Sequence, residues 1–395
     1  MYQQKHMSGS APVLDGVGRT SEDAARGKLA AVSAGYYSDS FARAFVPEGL
    51  AGRSPGPLLN RGHYARVAAV GSICEQFLSA VPLDEAQIIS LGAGFDTRFW
   101  QLCAIGRRPR LFIEIDQPAV VARKAACIEA DPSLMEWLPG MTVEPPRSYQ
   151  PEPLDSAQSA HQPTATPGEM AAPLTLAPLP LPTLPSVPSA RALLGCATSV
   201  RSVAGGYFLG TADLRHLPSL EAALSAACWR SDLPTLLLAE CVLVYLAPEC
   251  SESLLSWFGA RASSIALALY EQIHPHDPFG KMMLSNLRRR GCPLLGLVGC
   301  PDLEAQVARC ERSGWRRAEA ESVLKLYEGV LSIGERKRLE RLEMLDEVEE
   351  WRLMLGHYCV LLAIKEDTEE GGEGQLEAMR LRAPIERLFP QESSA

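Results

Sequence analysis

The sequence has no C-x-x-C pair among its eleven cysteines, and no cysteine spacing repeats. A disulfide framework or cysteine-built zinc site therefore has no support, and Cys74, Cys127 and Cys241, set in apolar runs, read as small packing residues. Thiols used this way favour a reducing compartment, so the expected location is cytoplasmic, with the nucleus open as well. The N-terminus, MYQQKHMSGSAPVLDG, lacks an apolar signal core, and no hydrophobic run is long or pure enough for a membrane span. Positive charge is also in deficit. A formal net charge of −9 argues against a nucleic-acid backbone as the main partner, since phosphate binding needs clustered cations. The one basic run, Arg288-Arg289-Arg290, reads first as a solvated helix end and second as an anion site. His63, His216, His274, His276 and His357 follow no metal-ligand spacing and read as surface or capping residues, so no metal is expected.

Of the 395 residues, 47% are hydrophobic and 22% charged, which allows a sizeable core. Short apolar runs alternate with helical patterns: Gln87 to Leu91, Leu111 to Asp116, Gly206 to Thr211, Thr235 to Cys241, Ile265 to Tyr270, Trp315 to Ala320 and Tyr358 to Ile364. Crossover units of this kind predict a largely parallel sheet of seven strands, the last two closing it as an antiparallel pair. Helices are predicted over Ser21 to Ala44 and Gly62 to Leu78, and a long charged one over Gly334 to Glu350. Twelve prolines between Pro145 and Pro188 exclude a helical or strand period, so that stretch reads as a flexible insertion with polyproline II character. The expected organisation is a loose arm over 1–18 and a single domain over 19–365. Within it, 19–80 form a helical lid and 141–205 the insertion, and an acidic, largely flexible tail covers 366–395, with one short helix over Arg380 to Phe389.

The stretch SLGAGFDTRFW, Ser90 to Trp100, carries the chemistry. A Gly-x-Gly turn after the first strand lets a ligand approach the backbone, and the next strand ends in Asp116, at the spacing where an acid meets a ribose. No third glycine follows, which opposes a dinucleotide and a nicotinamide-dependent oxidoreductase. A smaller cationic nucleotide fits better, and S-adenosylmethionine is one. Asp213 would then face the adenine amine, Glu240 the amino group of the methionine end, and Arg66 its carboxylate in a two-bond fork. Gly92 is the glycine expected to allow the close approach. Asp96, Phe99 and Trp100 read as helix start and core.

Several segments in order, NRGHYARV (Asn60 to Val67), SLGAGFDTRFWQL, IEID (Ile113 to Asp116), ADLR (Ala212 to Arg215), LLLAECVLVYL (Leu236 to Leu246), YEQIHPHDPFGKMMLSNLRRRGCPLLGL (Tyr270 to Leu297) and HYCVLLA (His357 to Ala363), resemble the leucine carboxyl methyltransferases. SEDAARGKLAAVSAGYYSD, Ser21 to Asp39, is similar to that family's lid. The resemblance implies a class I S-adenosylmethionine-dependent methyltransferase fold with an N-terminal helical lid. It also implies a monomer that methylates the C-terminal leucine carboxylate of the type 2A protein phosphatase catalytic subunit, regulating phosphatase assembly and leaving S-adenosylhomocysteine. Carried onto this chain, it places cofactor contacts at Lys28, Arg66, Gly92, Asp116, Asp213, Leu214 and Glu240. The departures are His63 within the arginine motif, read as harmless, and the long insertion.

The acceptor is already ionised, so no catalytic acid or base is expected; Tyr245 and Tyr270 are candidate walls of its pocket. Three rivals stand beside this reading: action on another carboxylate, action on a modified tRNA base, and a catalytically silent protein that binds a phosphatase tail. The acidic balance and the lack of kelch-like repeats count against the tRNA branch.

Overall fold

A computed structural model describes residues 16–47, 55–144, 199–202, 204–367 and 374–383. Two lid helices come first: α1 (Gly16–Ser33) and α2 (Pro57–Ala80), the second opened by a proline suited to a first helical turn. The sheet then forms from β1 (Gln87–Leu91), β2 (Leu111–Asp116), β3 (Thr142–Glu144), β4 (Ser199–Ser202), β5 (Tyr207–Thr211), β6 (Thr235–Glu240), β7 (Ser264–Gln272), β8 (Arg317–Ser322) and β9 (Tyr358–Glu366). Their order is β3-β4-β5-β2-β1-β6-β7-β9-β8. Strands β5, β2, β1, β6 and β7 run parallel, and β9 inserts antiparallel to both β7 and β8.

The parallel strands read as unbroken apolar runs because both faces are covered. Alternation then sorts their side chains. Ile88, Leu236, Leu238, Ala266 and Ala268 join the core beneath α1 and α2, while Ile89, Leu91, Leu237, Ala239, Leu267 and Leu269 join the opposite one. Crossovers α3 (Arg98–Ala104), α4 (Pro118–Ala130), α5 (Pro132–Met135), α6 (Leu217–Ala226) and α7 (Pro248–Arg261) return the chain to the sheet. Beyond them lie α8 (Pro278–Arg289), α9 (Leu303–Arg312), α10 (Val323–Gly329), α11 (Ile333–Glu340) and α12 (Val348–Gly356).

All seven expected strands form, with ends within two residues of expectation, and give the class I methyltransferase architecture. Several boundaries differ. The sheet has nine strands, because Thr142–Glu144 and Ser199–Ser202, assigned to the insertion, pair with each other and β4 pairs with β5. Residues 145–198 lie outside the described residues, as do 1–15. Gly16 and Gly18, assigned to the loose arm, are helical, and α1 stops at Ser33, ahead of a separate 3-10 turn at Ala42–Phe45. The charged stretch is two helices, since Leu342 and Leu345 turn inward between them to pack on the core.

The tail is corrected over 374–383. Leu376, Met379 and Leu381 are buried in the lid-side core, and the Arg317 guanidinium donates to the Glu377 and Met379 carbonyls. Residues 380–383 form a turn, and the rest of the predicted terminal helix lies outside the described residues.

Candidate active site

Strand β1 ends at Leu91, and the chain reverses through Gly92 and Gly94, both left-handed with φ of +56° and +54°. That region favours glycine. A Cβ on Gly92 would sit 2.6 Å from Val242 Cγ2, and one on Gly94 would press Ser21 of α1 at 3.2 Å, so the lid rests directly on the turn. The Gly94 N–H donates to Asp116 Oδ2 at 2.6 Å, and Gln117 N–H donates to Oδ1 at 2.7 Å. Asp116 thus fastens the end of β2 to the glycine turn.

Above this edge runs a buried chain of alternating charges. Arg66 Nε donates to Glu240 Oε2 at 2.6 Å, and Arg98 bridges Glu240 Oε1 at 2.9 Å and Asp96 Oδ2 at 2.8 Å. Lys28 Nζ of α1 stands 3.8 Å from Asp96 Oδ2. Burial alone would raise the Glu240 carboxyl, but Arg66 and Arg98 outweigh it and hold the group down at about 2. Asp96 is likewise held well below the carboxylate range, with Arg98, Lys28 and Lys124 overcoming its burial.

A second, wholly buried set supports the first. Lys124 Nζ donates to the Asp96 carbonyl at 2.7 Å and pairs with Glu114 at 2.6 Å, where Tyr207 Oη also donates at 2.6 Å. Thr97 Oγ1 donates to Asp39 Oδ2 at 2.6 Å, and Asp39 also accepts the Phe41 and Ala42 N–H groups, tying the lid's exit to the turn. A small cavity of about 10 Å³, at the lower limit for one water, lies among Lys28, Tyr37, Asp39, Val67, Asp96 and Thr97.

Of the residues expected at the site, Lys28, Arg66, Gly92, Asp116 and Glu240 come together around the turn. Arg66 and Glu240, expected to grip opposite ends of an amino acid, are bonded to each other. Asp213 follows β5; its carboxylate accepts the Arg215 N–H at 3.0 Å and two guanidinium bonds at 2.8 Å. Leu214 is half-buried against the core on the other face of the sheet. Tyr270 is buried, stacked on Tyr358 at 5.1 Å and capped by the Arg66 guanidinium 5.0 Å from its ring centroid. Tyr245 is half-buried against a small cluster with Val244, Leu294 and Leu297.

Sequence reasoning undervalued this pair: Asp96 was read as an acid suited to a cationic ligand and then as a helix start, and Arg98 drew no notice. The tripeptide Asp96-Thr97-Arg98 held the signal, since three polar groups directly after a glycine turn are more than a helix start requires. Phe99 and Trp100 are core, as expected.

Two histidines are not surface groups. His357 is buried but does cap α12, as the capping alternative expects, with Nδ1 2.8 Å from the Leu353 carbonyl and Nε2 2.9 Å from Asp277 Oδ2. His63 fills the space over Gly27, where a Cβ would meet its Nε2 at 2.0 Å; burial, then the charges of Arg66 and Lys28, push the imidazole down to about 3. It is a packing element between the lid helices. In the basic run, Arg290 pairs with Asp23 of α1, while Arg288 and Arg289 end α8 in solvent. Among the described residues no group of His, Cys, Asp and Glu is arranged to hold a metal, and no helix is long and apolar enough to cross a membrane.

The sheet order, the glycine turn and the acids at successive strand ends define a class I methyltransferase, whose methyl donor is S-adenosylmethionine. Within that class, residues 17–259 match the family model described as leucine carboxyl methyltransferase. The chain is 34% identical to the leucine carboxyl methyltransferase 1 homolog of Arabidopsis thaliana, covering 88% of each chain. It is 35% identical to leucine carboxyl methyltransferase 1 of Rattus norvegicus, over 90% of this chain and 92% of that one. A human tRNA wybutosine-synthesizing protein 4 is 34% identical over 89% of this chain, but over only 44% of its own length. The chain belongs to the leucine carboxyl methyltransferase family, and is a methyltransferase that acts on a carboxyl group.

Proposed function

We propose that this protein transfers the methyl group of S-adenosylmethionine to the C-terminal leucine carboxylate of the type 2A protein phosphatase catalytic subunit. The reading is carried by the buried charge chain Lys28-Asp96-Arg98-Glu240-Arg66 beside the aromatic pair Tyr270 and Tyr358. Its chemistry fits the donor: a carboxylate at Glu240 for an ammonium, a guanidinium at Arg66 for a carboxylate, and Asp116 for ribose hydroxyls, with Asp213 and Leu214 beyond it for the adenine. The donor supplies an electrophilic methyl on a sulfonium.

A C-terminal carboxyl has a pKa of about 3.5, so the acceptor arrives ionised and no residue need take a proton. The chain's task is to align the reacting atoms and exclude water, which can supply roughly 7 to 11 kcal/mol. Lid helices α1 and α2 serve this by bringing Lys28 and Arg66 down onto the turn.

Labelled methyl transfer to the phosphatase catalytic subunit tests the reading, with a subunit lacking its terminal leucine as control. Transfer only to the intact subunit is expected; transfer to neither, or equally to both, refutes it. The wybutosine-synthesis relative motivates a second substrate arm with modified tRNA. Labelling there in place of the phosphatase would favour that branch, against which the net charge of −9 already weighs.

A further inference from the structure

Strand alternation puts four polar tips on one face at the carboxyl edge of the sheet. Glu240 of β6 lies beside Tyr270 of β7, and Gln272, two residues on, faces Tyr358 of β9 across the antiparallel ladder. Arg66 closes over them from α2. Glu240 holds Arg66 and Arg98, and the two tyrosine rings stack on each other. Gln272 is only 4% exposed, and its Oε1 is buried without a hydrogen-bond partner among the described residues. An unpaired buried carbonyl of this kind costs free energy, about 1–3 kcal/mol, and calls for a reason.

The carboxamide faces Tyr358 across the ladder and lies near Cys241. Burial raises the Tyr358 hydroxyl and the Cys241 thiol to about 12, against a smaller lowering by the Gln272 amide, so both keep their protons at neutral pH. The two ends of a carboxamide are interchangeable by a half-turn. Turned, Oε1 comes to the side from which Tyr358 O–H and Cys241 S–H can donate, and the NH2 points to where no partner now stands. The site then offers one neutral donor, within the field of Arg66 and beside Glu240.

Resting on the leucine-carboxylate reading above, we propose that Gln272, braced by Tyr358 and Cys241, receives one oxygen of the acceptor carboxylate. The other oxygen attacks the methyl carbon; the C–O bond forms as the C–S bond breaks, the electron pair stays on sulfur, and no proton moves. A neutral amide suits this step better than a second guanidinium would. A full positive charge on the donor would hold the carboxylate more tightly than the forming ester and so oppose the loss of carboxylate charge.

The test compares the parent enzyme with Gln272→Met, close in length but without donors, and with Tyr358→Phe. Methyl transfer is measured together with binding of a leucine-ended tail peptide, as free acid and as C-terminal amide, to enzyme saturated with S-adenosylhomocysteine. For Gln272→Met, transfer kcat/KM and free-acid binding should both fall about 10- to 100-fold, the size expected for one hydrogen bond to a charged group. Amide-peptide binding and S-adenosylmethionine affinity should stay within about twofold of the parent, and Tyr358→Phe should show a smaller loss of the same pattern. Unchanged transfer, or equal loss for acid and amide peptides, overturns the assignment while leaving the leucine reading in place. A parent enzyme that labels no leucine terminus overturns the reading itself.

Discussion

Replacing Gly92 by alanine separates two costs that the turn combines. The backbone there is left-handed, with φ of +56°, which costs a residue bearing a Cβ about 1–2 kcal/mol. The new methyl would also lie 2.6 Å from Val242 Cγ2 and 3.2 Å from Cγ1, well inside van der Waals contact, and Val242 is itself buried and stiff at χ1. Overpacking of this kind adds about 1–3 kcal/mol, so Gly92→Ala should destabilise the protein by roughly 2–5 kcal/mol. Urea unfolding followed by tryptophan fluorescence measures it. In a Val242→Ala background the overlap disappears and only the backbone cost remains, so the same substitution should there cost about 1–2 kcal/mol. Strict additivity of the two changes, or a Gly92→Ala cost below about 1 kcal/mol, would refute the geometric account of why glycine stands here.

Arg98→Met leaves Asp96 and Glu240 without their shared cation, and calorimetry should show S-adenosylmethionine affinity weakened at least about tenfold; affinity within twofold would remove the charge chain from the binding site. Lys124→Met strands the buried Glu114 carboxylate and should cost about 3–5 kcal/mol in denaturant unfolding, while Lys124→Met with Glu114→Gln should recover most of that. Acid sensitivity should trace partly to His63. Its folded value of about 3 lies below the unfolded 6.5, so its contribution is complete above pH 6.5 and drains away as pH falls toward 3. Between pH 7 and pH 5 the parent should lose up to about 2 kcal/mol more than His63→Gln, and parallel curves would contradict the burial of a neutral ring.

The parallel strands were legible because each is a short apolar run, and a run covered on both faces looks the same wherever it sits in the sheet. The acids were legible because they end those runs: Asp116 and Glu240 close LFIEID and TLLLAE, and Asp213 lies two residues beyond YFLGT. What could not be read was who pairs with whom. Lys28 and Glu240 belong to a lid helix and a strand end, and only the closed fold brings them to Asp96 and Arg98 of the turn. The same holds for His63, whose neighbour Gly27 lies on another helix, and for Leu376 and Met379, apolar residues in an acidic stretch whose composition hides them.

The proline insertion yields to the same kind of reasoning at its borders. Val143 of β3 pairs with Val200 of β4, so the chain leaves and returns on adjacent antiparallel strands. A segment whose ends are already held side by side adds to its closure cost only with the logarithm of its length, about 0.6 kcal/mol for each doubling. Those strands extend the edge beyond β5, whereas Glu240, Tyr270 and Gln272 lie on β6 and β7, across β2 and β1 from it. Length can therefore be added there without displacing Arg66, Glu240 or Gln272. Deleting residues 146–197 and joining the strands through a short glycine-containing turn should leave the urea midpoint of the sheet nearly unchanged. It should also leave S-adenosylmethionine affinity within about twofold, because the ladder between β3 and β4 already sets the distance that such a turn must span. A loss of cofactor affinity on deletion would instead make the insertion part of the site.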